Sequence, residues 1–305
     1  MSNTISVYSA AKLNLYLSVG ERQVDGYHSL ETVFQTIDLY DRLSFELLDS
    51  NDENLIEIKV AESEQSHLVP TDKSNLVYKA ARLFFRKISK SNFYLKILIN
   101  KKIPVAAGLA GGSGNAAATL FALNYLSGEP LDQSQLLILA KELGSDVPFC
   151  LLGGCMLGTG RGDQLTRLSP FKDLSFVIVF PPTNETLSTK EIYSEFDKLP
   201  RLNDHNKVTT ERFIETLLTK GDAISKILFN SLEEVVVSKS FWVDRAKSAI
   251  DSNGFHSLVS GSGPSVFTIA PNEAQANYLI DLLKKQGFEA GFFRPTTESF
   301  QLIVN

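Results

Sequence analysis

The sequence is poor in the residues that build metal centres and disulfide frameworks. Its 305 residues include 2 cysteines and 4 histidines. Cys150 and Cys155 have no second cysteine pair and no histidine near them, so they supply too few ligands for a zinc site. We therefore expect both to be buried free thiols, because unpaired cysteine is among the most buried residue types. The scattered histidines form no metal-binding pattern.

Long hydrophobic runs are also absent. No stretch of about 18 apolar residues, the length that crosses a bilayer, occurs in the chain. The N-terminal residues MSNTISVYSA lack the basic segment and the apolar core of a secretory signal. We therefore expect a cytoplasmic protein that has no membrane-spanning segment and no membrane partner.

Positive charge is not in excess. The 30 lysines and arginines are outnumbered by 35 aspartates and glutamates, which gives a net charge of −5. Basic surfaces bind nucleic acids and anionic membranes, so neither is an expected partner. Any phosphate-binding site must therefore be local. With 43% hydrophobic and 21% charged residues, the chain has the composition of a soluble globular protein, and it is long enough for two domains.

What the sequence does contain is a dense group of glycines followed by alanines, PVAAGLAGGSGNAAAT, at residues 104–119. Glycine lacks a Cβ atom, so its backbone can take positive φ values and approach a ligand closely. We predict a helix that starts at Asn115 behind this loop, with free amide groups and a partial positive charge at its start. Loop and helix together predict a cradle for an anion such as phosphate. The glycines are Gly108, Gly111, Gly112 and Gly114.

Several known phosphate-binding motifs can be compared with this loop. A P-loop needs Gly-Lys-Ser/Thr, which follows none of the glycines. The dinucleotide fingerprint matches in letters only, from Gly112 to Ala117, and the context of a second strand closed by an acidic residue is missing. The HRD and DFG motifs of protein kinases are absent. An alternative to a phosphate-binding loop is a glycine- and alanine-rich loop that serves only tight packing. The stretch resembles the PxGxGLGGSSxAAA signature of the GHMP small-molecule kinases.

Two charged residues are candidates for phosphoryl transfer, which needs positioning, charge neutralisation and commonly a base for the acceptor hydroxyl. Asp146 in GSDVPF could be that base, or it could be an ordinary helix N-cap. Lys12 in SAAKLNLYL could be a cation of the site, or a strand-edge lysine that extends into solvent. The residue patterns alone leave these alternatives open, as they do for His28, which follows Tyr27 on a polar turn.

The surroundings of these residues resemble one group of GHMP kinases, the 4-diphosphocytidyl-2-C-methylerythritol kinases. GSDVPF is similar to their GADVPF segment, and AKLNL followed by DGYH is similar to PAKLNLxL…RxDGYH. SGSGPSVF at 260–267 is similar to their TGSGxxVF loop, although Gly-Ser-Gly alone would be interpreted as a hairpin turn. GTGRGD, FNSLE and SNLVYKAA resemble further segments of the group. The matches follow the family's order from Lys12 to Gly263.

The resemblance implies an α+β fold of two GHMP kinase domains, residues 1–155 and 156–305, with the active site in the cleft between them. It implies ATP and Mg²⁺ as cofactors, and phosphorylation of the 2-hydroxyl of the cytidylated methylerythritol, a small-molecule substrate of the non-mevalonate route to isoprenoids. The alternatives are another GHMP kinase, acting on homoserine, mevalonate or a sugar, and a non-catalytic nucleotide-binding relative. We expect a monomer or a homodimer.

The resemblance also implies roles for single residues. Lys12 and Asp146 would be catalytic, with the lysine close to the aspartate and stabilising the charge that develops on the acceptor oxygen. The cytosine would lie between Tyr27 and Tyr193. The implied substrate-binding residues are Asn14, Tyr27, His28 and Tyr193. The implied ATP-binding residues are Asn75, Lys101, Pro104, Gly108, Leu109, Gly111, Gly112, Ser113, Gly114 and Asn115. No residue is predicted to bind a metal ion.

Four positions depart from the family pattern. Ala110 stands where glycine is usual, and Gly114 stands where a second serine is usual. Asn115 replaces an aspartate of many relatives, and Ser231 replaces the aspartate of the xNDLE segment. The first two departures concern the shape of the loop.

Apolar periodicity predicts the elements around these motifs. Short, partly alternating segments before residue 60 predict strands, including TISVYS and LNLYLSV as separate strands. Helices are predicted over 75–88 and 133–143, the second ended by Gly144 in a left-handed conformation. The segment 188–253 is predicted to be mainly helical, with Trp242, Ala246, Ala249 and Ile250 on its core face.

Overall fold

The computed structural model describes residues 4–50, 54–169, 174–199, 209–219 and 225–304. These residues form two β-sheets, and helices pack on each of them. The larger sheet has the strand order β12 (Phe300–Val304), β1 (Thr4–Arg22), β2 (His28–Asp49), β4 (Phe93–Asn100), β3 (Leu55–Val60). The smaller sheet has the order β11 (Glu289–Phe293), β7 (Ser175–Phe180), β10 (Val266–Ala270), β9 (Ser257–Val259). The predicted α+β class is therefore confirmed.

The larger sheet is built around one long hairpin. Its first strand, β1 (Thr4–Arg22), pairs antiparallel with β2 (His28–Asp49), and the DGYH turn connects them. The two strands predicted in this region are one strand, because the chain continues through an irregularity between Ala10 and Ala11. The sheet continues through β3 (Leu55–Val60) and β4 (Phe93–Asn100).

Four helices belong to this part of the chain, the first between β3 and β4 and the others after β4. They are α1 (Leu76–Lys87), α2 (Gly111–Leu126), α3 (Gln133–Leu143) and α4 (Val147–Leu152). The central helix α2 packs on β1 through small residues. A Cβ atom added to Gly114 would lie 2.7 Å from Ser9 Oγ and 3.4 Å from the carbonyl oxygen of Ala10. Glycine at this departure from the family pattern thus lets the helix approach the strand.

The predicted end of α3 is correct in place but wrong in conformation. Gly144 follows the last helical residue, and its amide donates to the carbonyl of Ala140 at 3.3 Å. Its backbone is almost fully extended, with φ 159° and ψ 161°, rather than left-handed. The reason is local, since the chain turns at once into α4, and the amide of Val147 bonds to the carbonyl of Gly144 at 3.2 Å.

The smaller sheet carries most of the remaining helices. Its strands are β7 (Ser175–Phe180), β9 (Ser257–Val259), β10 (Val266–Ala270) and β11 (Glu289–Phe293). The remaining helices are α5 (Thr189–Phe196), α6 (Thr210–Thr219), α7 (Glu233–Lys239), α8 (Phe241–Asp251) and α9 (Glu273–Lys285). Of these, α7, α8 and α9 contact the smaller sheet, whereas α6 contacts β1. On α8, Ala246, Ala249 and Ile250 are buried and Trp242 is partly buried, as the predicted core face requires. The predicted helical segment also includes 200–208 and 220–224, which lie outside the described residues.

Several strands from residue 155 onward join the larger sheet. They are β5 (Cys155–Thr159), β6 (Gln164–Arg167), β8 (Phe229–Asn230) and β12 (Phe300–Val304). The last strand returns to pair antiparallel with β1. Both halves of the chain therefore build this sheet, and the division at residue 155 stays a prediction.

The two cysteines are buried free thiols, as predicted. Burial raises the pKa of the Cys155 thiol to about 12. Burial, together with the charge of Asp146, also raises the pKa of Cys150. Both therefore remain protonated at neutral pH, and neither has the thiolate character of a nucleophile. Within the described part of the chain, every helix is too short or too polar to cross a bilayer.

Candidate active site

A cleft of about 950 Å³ is lined by the glycine-rich loop, the β1–β2 hairpin, α5 and the loop after β9. Segments from both halves of the chain thus meet there. The predicted site residues that line the cleft are Lys12, Asn14, Tyr27, His28, Pro104, Gly108, Gly111, Gly112, Ser113, Asp146 and Tyr193. Those that do not line it are Asn75, Lys101, Leu109, Gly114 and Asn115.

The helix behind the glycine-rich loop starts earlier than predicted. It begins at Gly111 rather than at Asn115, and its first hydrogen bond runs from the amide of Gly114 to the carbonyl of Ala110 at 2.8 Å. The three amides of Gly111, Gly112 and Ser113 therefore precede the first helical bond and are the groups available to an anion. The amide of Gly114, predicted to contact phosphate, is used inside the helix.

Positive φ values in the loop occur mostly at residues other than the predicted glycines. Gly108 has φ 76°, but the other two positions are Ala106 at 53° and Ala110 at 56°. The remaining glycines of the stretch lie in the first turn of α2. Of the four predicted glycines, only Gly108 thus uses the ability to take a positive φ, because the early helix start gives the other three helical conformations.

The absence of a Cβ atom has a different reason at each glycine. A Cβ on Gly108 would overlap the carbonyl oxygen of Ser260, so this glycine permits the contact with the loop after β9. At Gly111 a Cβ would lie 2.8 Å from Lys101 Nζ. At Gly112 it would meet nothing within 4 Å. Gly112 therefore faces open space beside the free amides, and this space can hold an anion.

Lys12 and Asp146 lie together in the cleft, with Lys12 Nζ 3.7 Å from Asp146 Oδ2. The lysine side chain is 5% exposed, whereas the aspartate side chain is 36% exposed. Lys12 Nζ also donates to Asn14 Oδ1 at 2.6 Å and to the carbonyl of Gly108 at 3.0 Å. Lys12 is thus a buried cation of the site, and it does not extend into solvent from a strand edge.

Asp146 occupies the N-cap position of α4, but it does not act as an ordinary cap. Its side chain makes no capping hydrogen bond. The carboxylate instead lies in the cleft, where Lys12 is its ion-pair partner. The structure therefore supports Asp146 as a carboxylate of the cleft and not as an ordinary helix N-cap.

Asn14 is fixed at both ends of its amide. Its oxygen accepts the Lys12 hydrogen bond, and its Nδ2 donates to Thr32 Oγ1 at 2.8 Å. Thr32 Oγ1 in turn donates to the carbonyl of Tyr16 at 2.8 Å. The chain of bonds orients the lysine amine. A contact between Asn14 and a substrate stays a prediction.

The DGYH turn forms one wall of the cleft and is held by an arginine. Asp25 Oδ1 accepts from the amide of Tyr27 at 2.9 Å, and Asp25 Oδ2 accepts from the guanidinium of Arg161 at 2.5 Å. The Arg161 guanidinium lies 4.1 Å from the centre of the Tyr27 ring. The sequence contains a signal for this residue, because GTGRGD resembles a family segment, but that resemblance implies no particular role for Arg161.

His28 is buried against α5. Its ring lies 5.2 Å from the ring of Tyr193, and its Nε2 lies 2.7 Å from Asp197 Oδ1. Arg22 is a second partner of that carboxylate, at 3.8 Å. Burial, with the charge of Asp146 as a smaller cause, raises the pKa of Tyr193. Sequence motifs gave no indication of Asp197, since it lies on no recognisable pattern.

The predicted residues outside the cleft have contacts of their own. Asn75 caps α1 by accepting from the amide of Val77 at 2.8 Å, and Lys101 is bound to Asp41. The carbonyl of Leu109 accepts from the amide of Lys12 at 3.2 Å. Asn115 is buried, and its side-chain oxygen has no hydrogen-bond partner among the described residues. Contacts of these residues with a nucleotide stay predictions.

Comparison with known proteins gives matches along the whole chain. The family model of the GHMP kinases N terminal domain matches residues 75–154, and that of the GHMP kinases C terminal domain matches residues 214–288. A protein of Listeria welshimeri named 4-diphosphocytidyl-2-C-methyl-D-erythritol kinase is 36% identical over 303 residues, which is 99% of each chain.

Solved structures agree with these matches. A crystal structure of 4-(cytidine 5'-diphospho)-2C-methyl-D-erythritol kinase superposes with a TM-score of 0.72 at 30% identity, covering 94% of this chain and 98% of the other. Homoserine kinase from Cytophaga hutchinsonii has a TM-score of 0.77 over 99% and 98% of the two chains, but its 19% identity shows only a shared fold. With both family models matched in order and a relative similar along its full length, this protein belongs to the GHMP kinase family, together with relatives named 4-diphosphocytidyl-2-C-methyl-D-erythritol kinase.

Proposed function

We propose that this protein transfers the γ-phosphoryl group of ATP to the 2-hydroxyl of 4-diphosphocytidyl-2-C-methyl-D-erythritol, in the non-mevalonate route to isoprenoids. The observation that carries the proposal is the pairing of Lys12 with Asp146 in one cleft, between the glycine-rich loop and the DGYH turn. Relatives with that name are similar to the chain over nearly its whole length. We also propose a cytoplasmic enzyme that acts as a monomer or a homodimer.

The glycine-rich loop fits the phosphates of ATP. Free amides of Gly111, Gly112 and Ser113 face a space that a Cβ on Gly112 would enter. The partial positive charge at the start of α2 favours an anion in that space, and the hydroxyl of Ser113 can donate a further hydrogen bond. ATP supplies the electrophilic phosphorus of the reaction.

Mg²⁺ is proposed to accompany ATP. The described residues contain no group of three or more histidine, cysteine or acidic side chains that could hold a metal ion by themselves. The phosphates would therefore be the main ligands, as is usual for Mg²⁺ in kinases. Asp146 lines the same cleft and offers a carboxylate oxygen.

The paired residues divide the work of the transfer. A lone pair of the acceptor oxygen forms the new bond to the γ-phosphorus while the bond from that phosphorus to the bridging oxygen breaks and ADP departs. Asp146 takes the proton of the acceptor hydroxyl. Lys12 stabilises the negative charge that develops on the reacting oxygens, because its buried amine is already oriented by Asn14 and Gly108.

The cytidine of the acceptor is assigned to the aromatic end of the cleft. Tyr27, His28 and Tyr193 line that end, and an aromatic face stabilises a stacked base by about 1–3 kcal/mol. Tyr27 is 54% exposed in the structure, so its ring is accessible to a ligand. Homoserine, mevalonate and sugars have no base that could use these rings, so this end favours the cytidylated acceptor over the other GHMP substrates.

The test compares variants at the cytidine end in a coupled ADP-release assay with ATP and Mg²⁺. Tyr193→Ala removes a stacking ring, and His28→Ala removes a hydrogen-bond partner for the edge of the base. Each is expected to lower kcat/KM for the cytidylated acceptor at least ~10-fold and to leave KM for ATP unchanged. Tyr278→Ala, an exposed tyrosine on α9, is the matched control. If the acceptor KM were unaffected, or if uncytidylated methylerythritol phosphate reacted equally well, the proposed acceptor would be wrong and only a GHMP kinase of other specificity would remain.

A further inference from the structure

A buried ion pair lies directly behind the glycine-rich loop, outside the cleft. The carboxylate of Asp41 on β2 binds the amine of Lys101, which follows β4. The two side chains are 0% and 4% exposed. Charges at such depth are unfavourable unless they are paired and fully hydrogen-bonded. The pair therefore has a specific structural or functional role.

Asp41 organises the backbone that enters the loop. One carboxylate oxygen accepts from the amide of Lys102 at 2.8 Å and from the amide of Ile103 at 2.9 Å. The other oxygen accepts from the amine of Lys101. A single carboxylate thus binds three consecutive residues, and the next residue in the chain is Pro104, the first of the loop.

Lys101 extends this arrangement to the phosphate-binding turn. A Cβ on Gly111 would lie 2.8 Å from Lys101 Nζ and 3.0 Å from Ile103 Cγ2. The amine and the isoleucine therefore form the support under the first turn of α2. The free amides of that turn open to the cleft. A cation next to a helix N-terminus is unfavourable in the free protein, and the carboxylate of Asp41 offsets this repulsion.

We infer that Asp41 and Lys101 are positioning residues for ATP, which hold the phosphate-binding turn from behind, and that Lys101 acts through this ion pair and not by contact with the nucleotide. The inference rests on the proposed ATP-dependent activity. It replaces the expectation that Lys101 itself reaches the phosphates. Nothing else in the proposed mechanism uses Asp41.

The rest of the loop is held independently. The amide of Val105 donates to Gln65 Oε1 at 2.8 Å. The carbonyl of Gly108 accepts from Ser260 Oγ and from Lys12 Nζ, each at 3.0 Å. Loss of the buried pair should therefore disturb residues 101–103, which lead into the loop, and the first turn of α2. The acceptor end of the cleft should stay intact.

Three variants separate charge from geometry. Asp41→Asn keeps an oxygen for the two amides but leaves the Lys101 amine without a counter-charge. Lys101→Met removes the amine at similar length, and the double variant contains a neutral pair. Binding of a non-hydrolysable ATP analogue is measured by calorimetry, KM for the acceptor by ADP release, and folding by thermal unfolding.

Each single variant is expected to weaken binding of the analogue at least ~10-fold, with the acceptor KM changed less than ~2-fold. The double variant is expected to bind no more weakly than the worse single variant, because the two residues act as one unit. Glu46→Gln and Lys96→Met are the matched controls. They remove a half-exposed ion pair on the same two strands, β2 and β4, and should change neither affinity.

The inference is overturned if folded single variants bind the analogue normally, or if the losses of the two singles multiply in the double variant. It is also overturned if analogue and acceptor affinities fall together with the unfolding temperature, since that pattern marks a general structural role. If Asp41→Asn does not fold because the Lys101 amine has lost its counter-charge, analogue binding by Lys101→Met and by the neutral double variant tests the inference. The analogue binds without an acceptor, so a wrong acceptor assignment would leave this result unchanged.

Discussion

The Lys12 amine is a buried charge that the protein stabilises with oxygen atoms. It contacts the side chain of Asn14, the carbonyl of Gly108 and the carboxylate of Asp146. The carbonyl and the amide orient the amine, whereas the carboxylate is the partner with a net charge. Because the aspartate is the more exposed of the two, it can meet the acceptor while Lys12 stays fixed behind it. One lysine thereby connects the loop to the proposed base.

At the residue scale, Lys12→Met and Asp146→Asn are each expected to lower kcat by ~10² or more and to leave ATP binding nearly intact. The double variant should lose little beyond the worse single variant, because the two groups serve one proton transfer and one developing charge. Steady-state kinetics and ATP-analogue binding measure the effects. Lys59→Met, which removes the cation of an exposed pair on β3, is the control.

If the fold-decreases in kcat of the two single variants multiplied in the double variant, Lys12 and Asp146 would have separate roles. An unimpaired Asp146→Asn would remove the aspartate from the mechanism. A loss near 10-fold would mean that positioning and charge supply most of the catalysis, as in phosphoryl transfer without a strong base.

At the element scale, the start of α2 shows where sequence patterns stop being informative. Glycine is a poor helix former, so propensity placed the start at Asn115, after the last glycine. Packing decides otherwise, because Gly111 lies on Ile103 and Lys101, and Gly114 lies on β1. These contacts join residues far apart in the chain. The glycines indicated which turn leaves its amides free, but they did not indicate which particular amides are free.

The two glycines at either end of the loop should respond differently to a side chain. Gly112→Val is expected to weaken ATP binding at least ~10-fold without lowering the unfolding temperature, because its Cβ enters only the space for the anion. Gly108→Ala is expected to destabilise the fold by more than the ~1–2 kcal/mol of a left-handed residue, because its Cβ also overlaps Ser260. Calorimetric binding and thermal unfolding separate the two effects.

Gly128→Ala provides the comparison for this strain. Gly128 has φ 80°, close to that of Gly108, but a Cβ there would meet nothing within 4 Å. The loss of stability in Gly128→Ala should therefore reflect the left-handed backbone conformation alone. Normal ATP binding by Gly112→Val would mean that the phosphates lie elsewhere, and equal stability of the Gly108 and Gly128 variants would contradict the proposed contact with Ser260.

At the scale of the whole molecule, the cleft depends on contacts between distant parts of the chain. Ser260 Oγ and the amide of Ser265 donate to the loop carbonyls of Gly108 and Ala107, at 3.0 and 3.3 Å. A Cβ on Gly261 would lie 3.4 Å from Lys12 Nζ. The SGSGP loop, from the C-terminal half of the chain, thus packs against the glycine-rich loop at one end of the cleft.

Much of this arrangement was predictable because each motif is a short continuous string. The α+β class, the cleft and the pairing of Lys12 with Asp146 follow from such strings and their resemblance to a family. Nonlocal pairing was not predictable. The return of β12 to β1 and the contact of Asp197 with His28 join positions that share no local pattern. Only the folded chain brings them together.

The central claim is that the cleft directs the γ-phosphoryl group of ATP to the 2-hydroxyl of the cytidylated acceptor. Phosphorus NMR of the product tests it most directly. Carbon 2 of the acceptor carries a methyl group and no hydrogen, so the product should give a new phosphomonoester signal without three-bond coupling to hydrogen, appearing together with ADP. A signal split by such coupling would place the phosphate on another hydroxyl, and ATP left unchanged in the presence of acceptor and Mg²⁺ would contradict the proposed activity altogether.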